Sequence, residues 1–121
     1  VALNTVINPL TALHGVTNGE LLQPPLQAIT ENVIKEVQNV LWAADAREIA
    51  SALPAQVRAV CSSTGANHSS MRVDLESGKR TEIDAIVGWL LSSLTPHPPA
   101  TPLLSELYNA VRERDVRLSC A

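Results

Sequence analysis

Apolar residues recur at three- and four-residue steps between positions 26 and 41, and this spacing constrains the fold more than any other feature. They are Leu26, Ile29, Val33, Val37, Val40 and Leu41. Side chains at this spacing lie on one face of an α-helix. Glu31 and Lys35 are four residues apart and form an opposite-charge pair on the exposed side. Pro24-Pro25 precedes the segment and is a plausible helix entry, since proline is tolerated in a first turn.

Similar patterns predict more helices in the first half of the chain. The apolar segment from Val1 to Leu13 ends before turn residues at Gly15 and Asn18-Gly19. Asp45 is expected to cap a short alanine-rich helix that Pro54 interrupts after Leu53. A further helix follows the proline. It carries Val57, Val60, Cys61 and Thr64.

Three more helices are predicted after the polar tract at 62–70. Met71 to Glu76 is a short helix that Ser77-Gly78 ends. Thr81 is expected to begin the next helix, with Asp84 completing a shortened capping box. The apolar stripe of that helix is Ile83, Ile86, Val87, Leu90, Leu91 and Leu94. Thr101-Pro102, a cap followed by proline, opens the last helix. Its inward side chains are expected to be Leu103, Leu104, Leu107, Tyr108 and Val111.

The composition agrees with an all-α fold in one domain. A chain of 121 residues is long enough to close a single core. It has no Phe, one Tyr and two Trp, so aliphatic side chains and alanine must fill that core. Strands are enriched in aromatic residues, and no useful period-two alternation is present. We therefore predict a bundle of five to seven helices without a sheet.

Several classes of function are excluded by composition and spacing. The formal net charge is −3 and no Lys/Arg cluster stands out, which excludes a nucleic-acid partner. No apolar run approaches the roughly 20 residues of a membrane span. His14, His68 and His97 lie at no recognisable metal-ligand spacing. Cys61 and Cys120 form no CxxC pair, so reduced thiols and a cytoplasmic location are the default, although a disulfide stays open.

Asn4 and Asn8 interrupt the apolar first segment. Their four-residue spacing places both amides on one helical face. Asparagine is a poor residue inside a helix, because its side chain competes for backbone hydrogen bonds. Asn8 has a structural alternative, since Asn8-Pro9 could be an N-cap followed by proline at the first helical position. Asn4 has no such alternative and is the stronger candidate for binding a ligand.

Three further polar segments contain candidate residues, each with a structural alternative. Asn18 belongs to Asn18-Gly19-Glu20, which turn formation alone would explain. Asn67 and Ser70 lie in a segment where Ser69 or Ser70 could simply cap the next helix. Glu82 opens a helix, where an acidic residue is favourable for dipole reasons alone. The residues by themselves therefore indicate a helical domain with a polar Asn/Ser patch.

Taken together, the motifs resemble the C-terminal domain of ketopantoate reductase (2-dehydropantoate 2-reductase). The opening pattern is Asn4-Thr-Val-Ile-Asn8-Pro-Leu-Thr-Ala-Leu13, followed by Asn18-Gly-Glu-Leu21. The central pattern is Asn67-His-Ser-Ser-Met71, Asp74, Arg80-Thr-Glu-Ile-Asp84 and Gly88. The closing pattern is Thr101-Pro102 with Leu107-Tyr108. Each motif alone is weak, but their order and spacing agree across nearly the whole chain.

The resemblance implies a fold like the C-terminal domain of 6-phosphogluconate dehydrogenase. It also implies an NADPH-dependent reduction of ketopantoate to pantoate, a step toward pantothenate and coenzyme A. By resemblance, the substrate contacts are Asn4, Asn8, Asn18 and Ser70, with Asn67 a weaker candidate. Glu82 would lie beside the nicotinamide ribose and the catalytic lysine. The nucleotide-binding half is a separate N-terminal Rossmann domain, which residues 1–121 do not include.

The family's lysine falls one helical turn before Asn4, at a position that precedes Val1. Lys35 and Lys79 lie in the wrong contexts to replace it. We therefore expect the 121 residues alone to have no reductase activity. Two alternatives stay open: a helical interaction or dimerisation module that has lost the reaction, and a reductase for a related 2-keto acid. A homodimer is compatible with any of these.

Overall fold

The computed structural model describes the backbone of residues 2–93 and 99–120, and the side chains of 2–91 and 99–115. The elements, in chain order, are α1 (Ala2–His14), a 3₁₀ turn (Gly19–Leu22), α2 (Gln27–Ala43), α3 (Arg47–Ser63), α4 (Ser70–Glu76), a π-helical stretch (Asp84–Gly88) that continues into α5 (Trp89–Ser93), and α6 (Pro102–Cys120). Within these ranges there are six α-helices and no strand. The predicted all-α fold is confirmed.

Helix α1 is the centre of the bundle. Its eight residues from Thr5 to Ala12 are all buried, and it packs against α2, α3, α4 and α6. A helix that is enclosed on most sides must be largely apolar around its circumference, which explains the predominantly apolar segment at the start of the sequence. The core that surrounds it is built mainly from Leu, Val and Ile, as the composition predicted.

Helix α2 confirms the strongest sequence prediction. Val33, Val37, Val40 and Leu41 are buried, and Leu26 and Ile29 pack against the core from its edge. The helix begins at Gln27. Pro24 and Pro25 therefore lie in the turn before the helix and do not form its first turn; the peptide bond that joins them is cis.

Helix α3 corrects the prediction that Pro54 interrupts a short helix. The helix runs without a break from Arg47 to Ser63 with Pro54 inside it. Proline has no N–H to donate to the carbonyl four residues earlier, which belongs to Ala50. The side chain of Gln38 on α2 supplies the missing donor, with Nε2 2.8 Å from that oxygen. Nor does Asp45 cap this helix: its φ is +62°, and Ala46 occupies the cap position.

The helix after residue 80 also differs from its prediction at its start. Asp84 does not form a capping box, because its carboxylate accepts a hydrogen bond from the Tyr108 hydroxyl. Thr81 is held instead by Asp115, whose two carboxylate oxygens accept from the Thr81 amide at 3.0 Å and hydroxyl at 2.6 Å. Ile83, Val87 and Leu90 of the predicted stripe are buried. Leu94 lies outside the described residues.

Helix α6 begins at Pro102 after Thr101, as predicted. Leu104, Leu107 and Val111 are buried, and Leu103 and Tyr108 are partly buried. The sequence did not reveal what satisfies the first amides of the helix. Glu36 on α2 does so, with its two carboxylate oxygens 3.1 Å from Leu103 N and 2.9 Å from Leu104 N. This contact fixes the start of α6 on α2.

In the described part of the chain, no helix is both long and apolar enough to cross a membrane. The predictions that involve His97 and the side chain of Cys120 fall outside the described residues. Cys61 is buried as a free thiol in α3, and burial raises the pKa of that thiol.

Candidate functional site

Asn8 lies in the middle of α1. The helix begins at Ala2 and continues through Pro9 to His14, so the interpretation of Asn8-Pro9 as a helix start is wrong. Asn8 is 7 % exposed, and Asn4, one turn earlier on the same face, is exposed. An amide inside the central, apolar helix has no capping role to explain it. The structure therefore removes the helix-start explanation for Asn8, and its binding function stays a prediction.

Helix α4 starts directly beside this face of α1. Thr11, three residues after Asn8, has its hydroxyl 2.6 Å from the hydroxyl of Ser69, and both residues are buried. Ser69 is the N-cap of α4, with Oγ accepting from Arg72 N at 3.1 Å. Ser70 is the first residue of the helix and is exposed. Ser69 is thus the structural serine, while the hydroxyl of Ser70 lies at the surface.

Asn18 is held against Asn67 by the backbone. The Asn18 amide donates to the Asn67 carbonyl at 3.0 Å, and the Gly19 amide donates to the Gly65 carbonyl at 3.1 Å. The two glycines are in close contact, because a Cβ on Gly19 would lie 2.9 Å from the Cα of Gly65. These contacts join the turn after α1 to the loop between α3 and α4. They bring Asn18, Asn67 and Ser70 to neighbouring positions.

The side chain of Asn18 is buried, and only one of its two polar atoms is hydrogen-bonded. Its Nδ2 donates to Thr64 Oγ1 at 3.1 Å. Its Oδ1 is shielded from solvent and has no hydrogen-bond partner among the described residues. Buried polar atoms without partners are rare in folded proteins and often mark sites where a ligand or water completes the structure.

Positive charge lies close to the Asn18 turn. The Thr17 backbone amide and hydroxyl donate to Glu20 Oε1 at 3.1 and 3.0 Å. The pKa of Glu20 is lowered chiefly by these two hydrogen bonds, and the charges of Arg72 and His68 act in the same direction. Arg72 is ion-paired with Glu76 at 3.0 Å, and its side chain is only 14 % exposed. The positive charge of Arg72 in α4 therefore acts on Glu20 in the turn.

Glu82 does not take part in the contacts between the Asn18 turn and the start of α4. It is exposed, and its carbonyl accepts from Ile86 N at 3.0 Å as the helix begins. The contacts described above join the Asn18 turn to the loop that carries Asn67, and they place Thr11 of α1 against Ser69. None of these contacts involves Glu82. Two residues later, Asp84 binds the Tyr108 hydroxyl and lies 3.6 Å from the Arg112 guanidinium. The hydrogen bond to Asp84 raises the pKa of Tyr108.

Comparison with known proteins decides the family. A family model described as "Ketopantoate reductase PanE/ApbA C terminal" matches residues 1–115. The chain belongs to this family. It is 38 % identical over 112 residues to the 2-dehydropantoate 2-reductase of Vibrio cholerae, covering 93 % of this chain and 38 % of the relative. It is also 38 % identical over 111 residues to the Bacillus subtilis 2-dehydropantoate 2-reductase, covering 91 % of this chain and 36 % of that protein.

Solved structures agree with this assignment. The chain matches a crystal structure of a probable 2-dehydropantoate 2-reductase from Bacillus subtilis with a TM-score of 0.78 and 38 % identity, covering 93 % of this chain and 38 % of that one. A PanE/ApbA family ketopantoate reductase from Ralstonia eutropha JMP134 has the same fold, with a TM-score of 0.81 at 24 % identity, covering 98 % and 40 % of the two chains. The chain spans about two fifths of the length of these relatives.

The sequence of this ketopantoate reductase C-terminal domain contains no glycine-rich loop of the Rossmann type. Its five glycines are Gly15, Gly19, Gly65, Gly78 and Gly88. They do not form the GxGxxG loop that cradles a pyrophosphate between a strand and a helix, and the described residues contain no strand. The candidate residues Asn4, Asn8, Asn18, Asn67 and Ser70 offer neutral amides and a hydroxyl. Such groups suit a small oxygen-rich molecule.

The sequence did not identify two polar residues that lie beside the candidates, Thr11 near Asn8 and Thr64 against Asn18. Thr11 could have been found, because it lies three residues after Asn8 and seven after Asn4, on the same face of a helix. Thr64 could not, because 46 residues separate it from its partner Asn18, and only the packing of α3 against the 3₁₀ turn brings them together.

Proposed function

We propose that residues 1–121 form the single substrate-binding domain of an enzyme that reduces 2-dehydropantoate to pantoate with NADPH. The reaction is a step in the biosynthesis of pantothenate and coenzyme A. In this proposal the domain acts together with a nucleotide-binding Rossmann domain, which binds most of the cofactor. The substrate occupies the cleft between the two, and the enzyme works in the cytoplasm.

The observation that carries this proposal is the cluster of amides and hydroxyls in a domain whose core is otherwise aliphatic. Asn8 and Asn18 are buried at 7 % and 8 % exposure, and both are costly for folding alone. One is inside a helix, and the other has an unpartnered oxygen. Several neutral donors and acceptors in one region fit a small hydroxylated keto acid.

We assign substrate contacts to Asn4, Asn8, Asn18 and Ser70, with Asn67 as a weaker candidate. Asn4 and Asn8 share one face of α1, and Ser70 is exposed beside the buried cap of α4. Asn67 contributes its backbone to the Asn18 turn. This places the five residues on three neighbouring segments, which supports a common binding surface.

We assign a supporting role to Glu82. The alkoxide that develops when a ketone is reduced needs a proton, and in this family a lysine supplies it as general acid. A carboxylate nearby favours the charged form of a lysine and orients it. The exposure of Glu82 leaves its carboxylate available to a lysine and a nicotinamide ribose contributed from outside these 121 residues. The cofactor itself supplies the hydride.

The test uses the complete protein that contains this chain, with NADPH absorbance as the measure of turnover. Wild-type protein is expected to reduce 2-dehydropantoate, and the 121 residues alone are expected to give no turnover. Asn4→Ala is expected to raise KM about tenfold, the loss of about one strong hydrogen bond. Asn39→Ala, an exposed asparagine on α2, is the matched control and should leave KM unchanged. Wild-type protein without turnover would refute the proposal, and faster turnover of another 2-keto acid would reassign the substrate.

A second candidate, a helical interaction or dimerisation module, is favoured by exposed apolar side chains. Among the described residues, the large apolar side chains that are more than two fifths exposed are Trp42, Ile49, Val73 and Trp89. Scattered apolar residues are common on surfaces, so these four alone argue weakly. Two measurements on the complete protein separate the two candidates: its oligomeric state by sedimentation, and its NADPH-dependent turnover. A dimer without turnover supports the second.

A further inference from the structure

The orientation of the Asn18 amide is fixed by the hydroxyl of Thr64. Thr64 Oγ1 lies 2.6 Å from the carbonyl oxygen of Val60. A carbonyl only accepts hydrogen bonds, so the single hydroxyl proton of Thr64 must lie in this contact. The hydroxyl can then only accept from Asn18, at 3.1 Å. The amide nitrogen therefore faces Thr64, and the amide oxygen faces the other way.

The oxygen on the far side of this amide is an acceptor without a donor. Asn18 Oδ1 is shielded from solvent and unpartnered among the described residues. The backbone of the same residue is held by the Asn67 carbonyl, so the turn cannot shift freely to satisfy it. Nearly all buried acceptors in folded proteins have a donor. The atom that completes this one must bring a hydrogen.

We propose that Thr64 is a positioning residue that presents Asn18 to the ligand as a hydrogen-bond acceptor, so that the site selects 2-keto acids that carry a hydroxyl group. This inference rests on the proposed function. At neutral pH the carboxylate and the ketone of 2-dehydropantoate can only accept hydrogen bonds, and its terminal hydroxyl is its one donor. Oδ1 is shielded from solvent in the structure, so this proposal requires a local movement around Asn18 when the hydroxyl binds.

The selectivity follows from the cost of leaving the oxygen unsatisfied. A site built to hydrogen-bond a substrate hydroxyl rejects an analogue without it, because the buried partner is then left unpaired. Without the Thr64 hydroxyl the amide is free to rotate and can offer its nitrogen instead. The preference for a hydroxylated substrate should then weaken, while binding of the rest of the keto acid should change little.

The experiment compares two keto acids in the complete protein. One is 2-dehydropantoate, and the other is 3,3-dimethyl-2-oxobutanoate, which has the same carbon skeleton and lacks only the hydroxyl. Thr64→Val is expected to lower the ratio of their kcat/KM values about tenfold, through the KM for 2-dehydropantoate and not through kcat. Thr64→Ser keeps a hydroxyl at this position and should hold the ratio within about twofold of wild type.

Thr30→Val is the matched control. Thr30 is buried and donates from its hydroxyl to Leu26 O at 2.8 Å, four residues earlier, as Thr64 does to Val60. It should leave the ratio unchanged. Thermal unfolding of each variant measures any loss of stability separately, and Thr64→Ala replaces Thr64→Val if the latter does not fold.

The outcomes separate this inference from the proposed function. Wild-type protein that reduces neither keto acid overturns both. Wild-type protein that reduces 2-dehydropantoate, with Thr64→Val lowering both kcat/KM values equally, keeps the function and overturns the role of Thr64. An unchanged ratio in Thr64→Val also keeps the function and overturns the role of Thr64. The donor to Asn18 Oδ1 would then be an internal water.

Discussion

Ser69 and Ser70 are neighbours in sequence but have different environments. Ser69 is buried, caps α4 and is hydrogen-bonded to Thr11, while Ser70 is exposed. The sequence could identify the pair as a helix start, but it could not decide which serine caps. That choice depends on Thr11, 58 residues away from Ser69. The resemblance pointed to Ser70 as the ligand residue, and this stays a prediction.

The two serines can be separated by a pair of alanine substitutions. Ser69→Ala removes the cap and the partner of Thr11, and it should lower the free energy of unfolding by about 1–2 kcal/mol. Ser70→Ala should change stability by less than about 0.5 kcal/mol and should raise the KM of the complete enzyme. Urea unfolding and steady-state kinetics check the two parts. Equal stability losses in both variants would contradict this division of roles.

Tyr108 gives a second prediction at this scale. Its hydroxyl donates to Asp84, and this raises its pKa above the ordinary value of 10.0. The folded state therefore favours the protonated phenol, so the contribution of this contact is present below the unfolded pKa and is lost in alkaline solution as pH rises through the folded pKa. Tyr108 is the single tyrosine of the chain, so the ultraviolet absorbance of tyrosinate reports it directly.

Substitution of Asp84 tests the cause of this shift. Asp84→Asn should bring the Tyr108 pKa down toward its ordinary value, because the charged acceptor is gone. Asp45→Asn, at an exposed aspartate in the turn before α3, should leave the titration where it is. A Tyr108 titration that does not respond to Asp84→Asn would show that the carboxylate is not the cause.

At the scale of elements, most helices were predictable because their apolar spacing is regular. The α2 stripe and the inward face of α6 are clear examples. The error at Pro54 arose because a side chain from another helix supplied what the local sequence lacked. Pro54 should end a helix by local rules, yet Gln38 on α2 satisfies the Ala50 carbonyl that the proline leaves without a donor. No pattern within α3 contains that information.

The Gln38 contact can be measured with a double-mutant cycle. Gln38→Ala should cost about 1–2 kcal/mol of unfolding free energy, because the buried Ala50 carbonyl loses its donor. Pro54→Ala restores a backbone N–H for that carbonyl, so Gln38→Ala should cost less than about 0.5 kcal/mol in the Pro54→Ala background. Thermal or urea unfolding of the four proteins gives the coupling. Purely additive effects would mean that the amide does not compensate for the proline.

At the scale of the whole molecule, the proposed binding surface depends on one close backbone contact. Gly19 and Gly65 bring the turn after α1 and the loop before α4 together. The sequence predicted Gly19 as a turn residue and placed Gly65 only within the polar tract at 62–70, and it did not predict that the two glycines touch. Contacts between distant loops follow from packing, which local patterns do not encode. The family resemblance supplied the candidate residues without their spatial relationship.

Substitution at the two glycines should give a graded response. Gly19→Ala places a Cβ 2.9 Å from Gly65 Cα, where backbone must move, and it should destabilise the domain by about 1–3 kcal/mol. The Cβ of Gly65→Ala would lie 3.3 Å from the Cys61 carbonyl, a smaller overlap with a smaller cost. Urea unfolding measures both, and the KM for the keto acid should rise more in Gly19→Ala. The reverse order would contradict the importance of this contact.

The burial of α1 has a consequence for how the domain responds to its ligand. Its enclosed amides should exchange hydrogen with solvent only when the whole domain unfolds, whereas the loops near Asn18 and Asn67 should open locally. Asn8 thus lies on the helix whose amides should exchange most slowly, and Asn18 lies in a loop whose amides should exchange faster. A bound keto acid should protect the amides of the two loops and leave those of α1 nearly unchanged. The central helix would stay rigid on binding. Part of the free energy of binding would be used to suppress the local opening of the two loops.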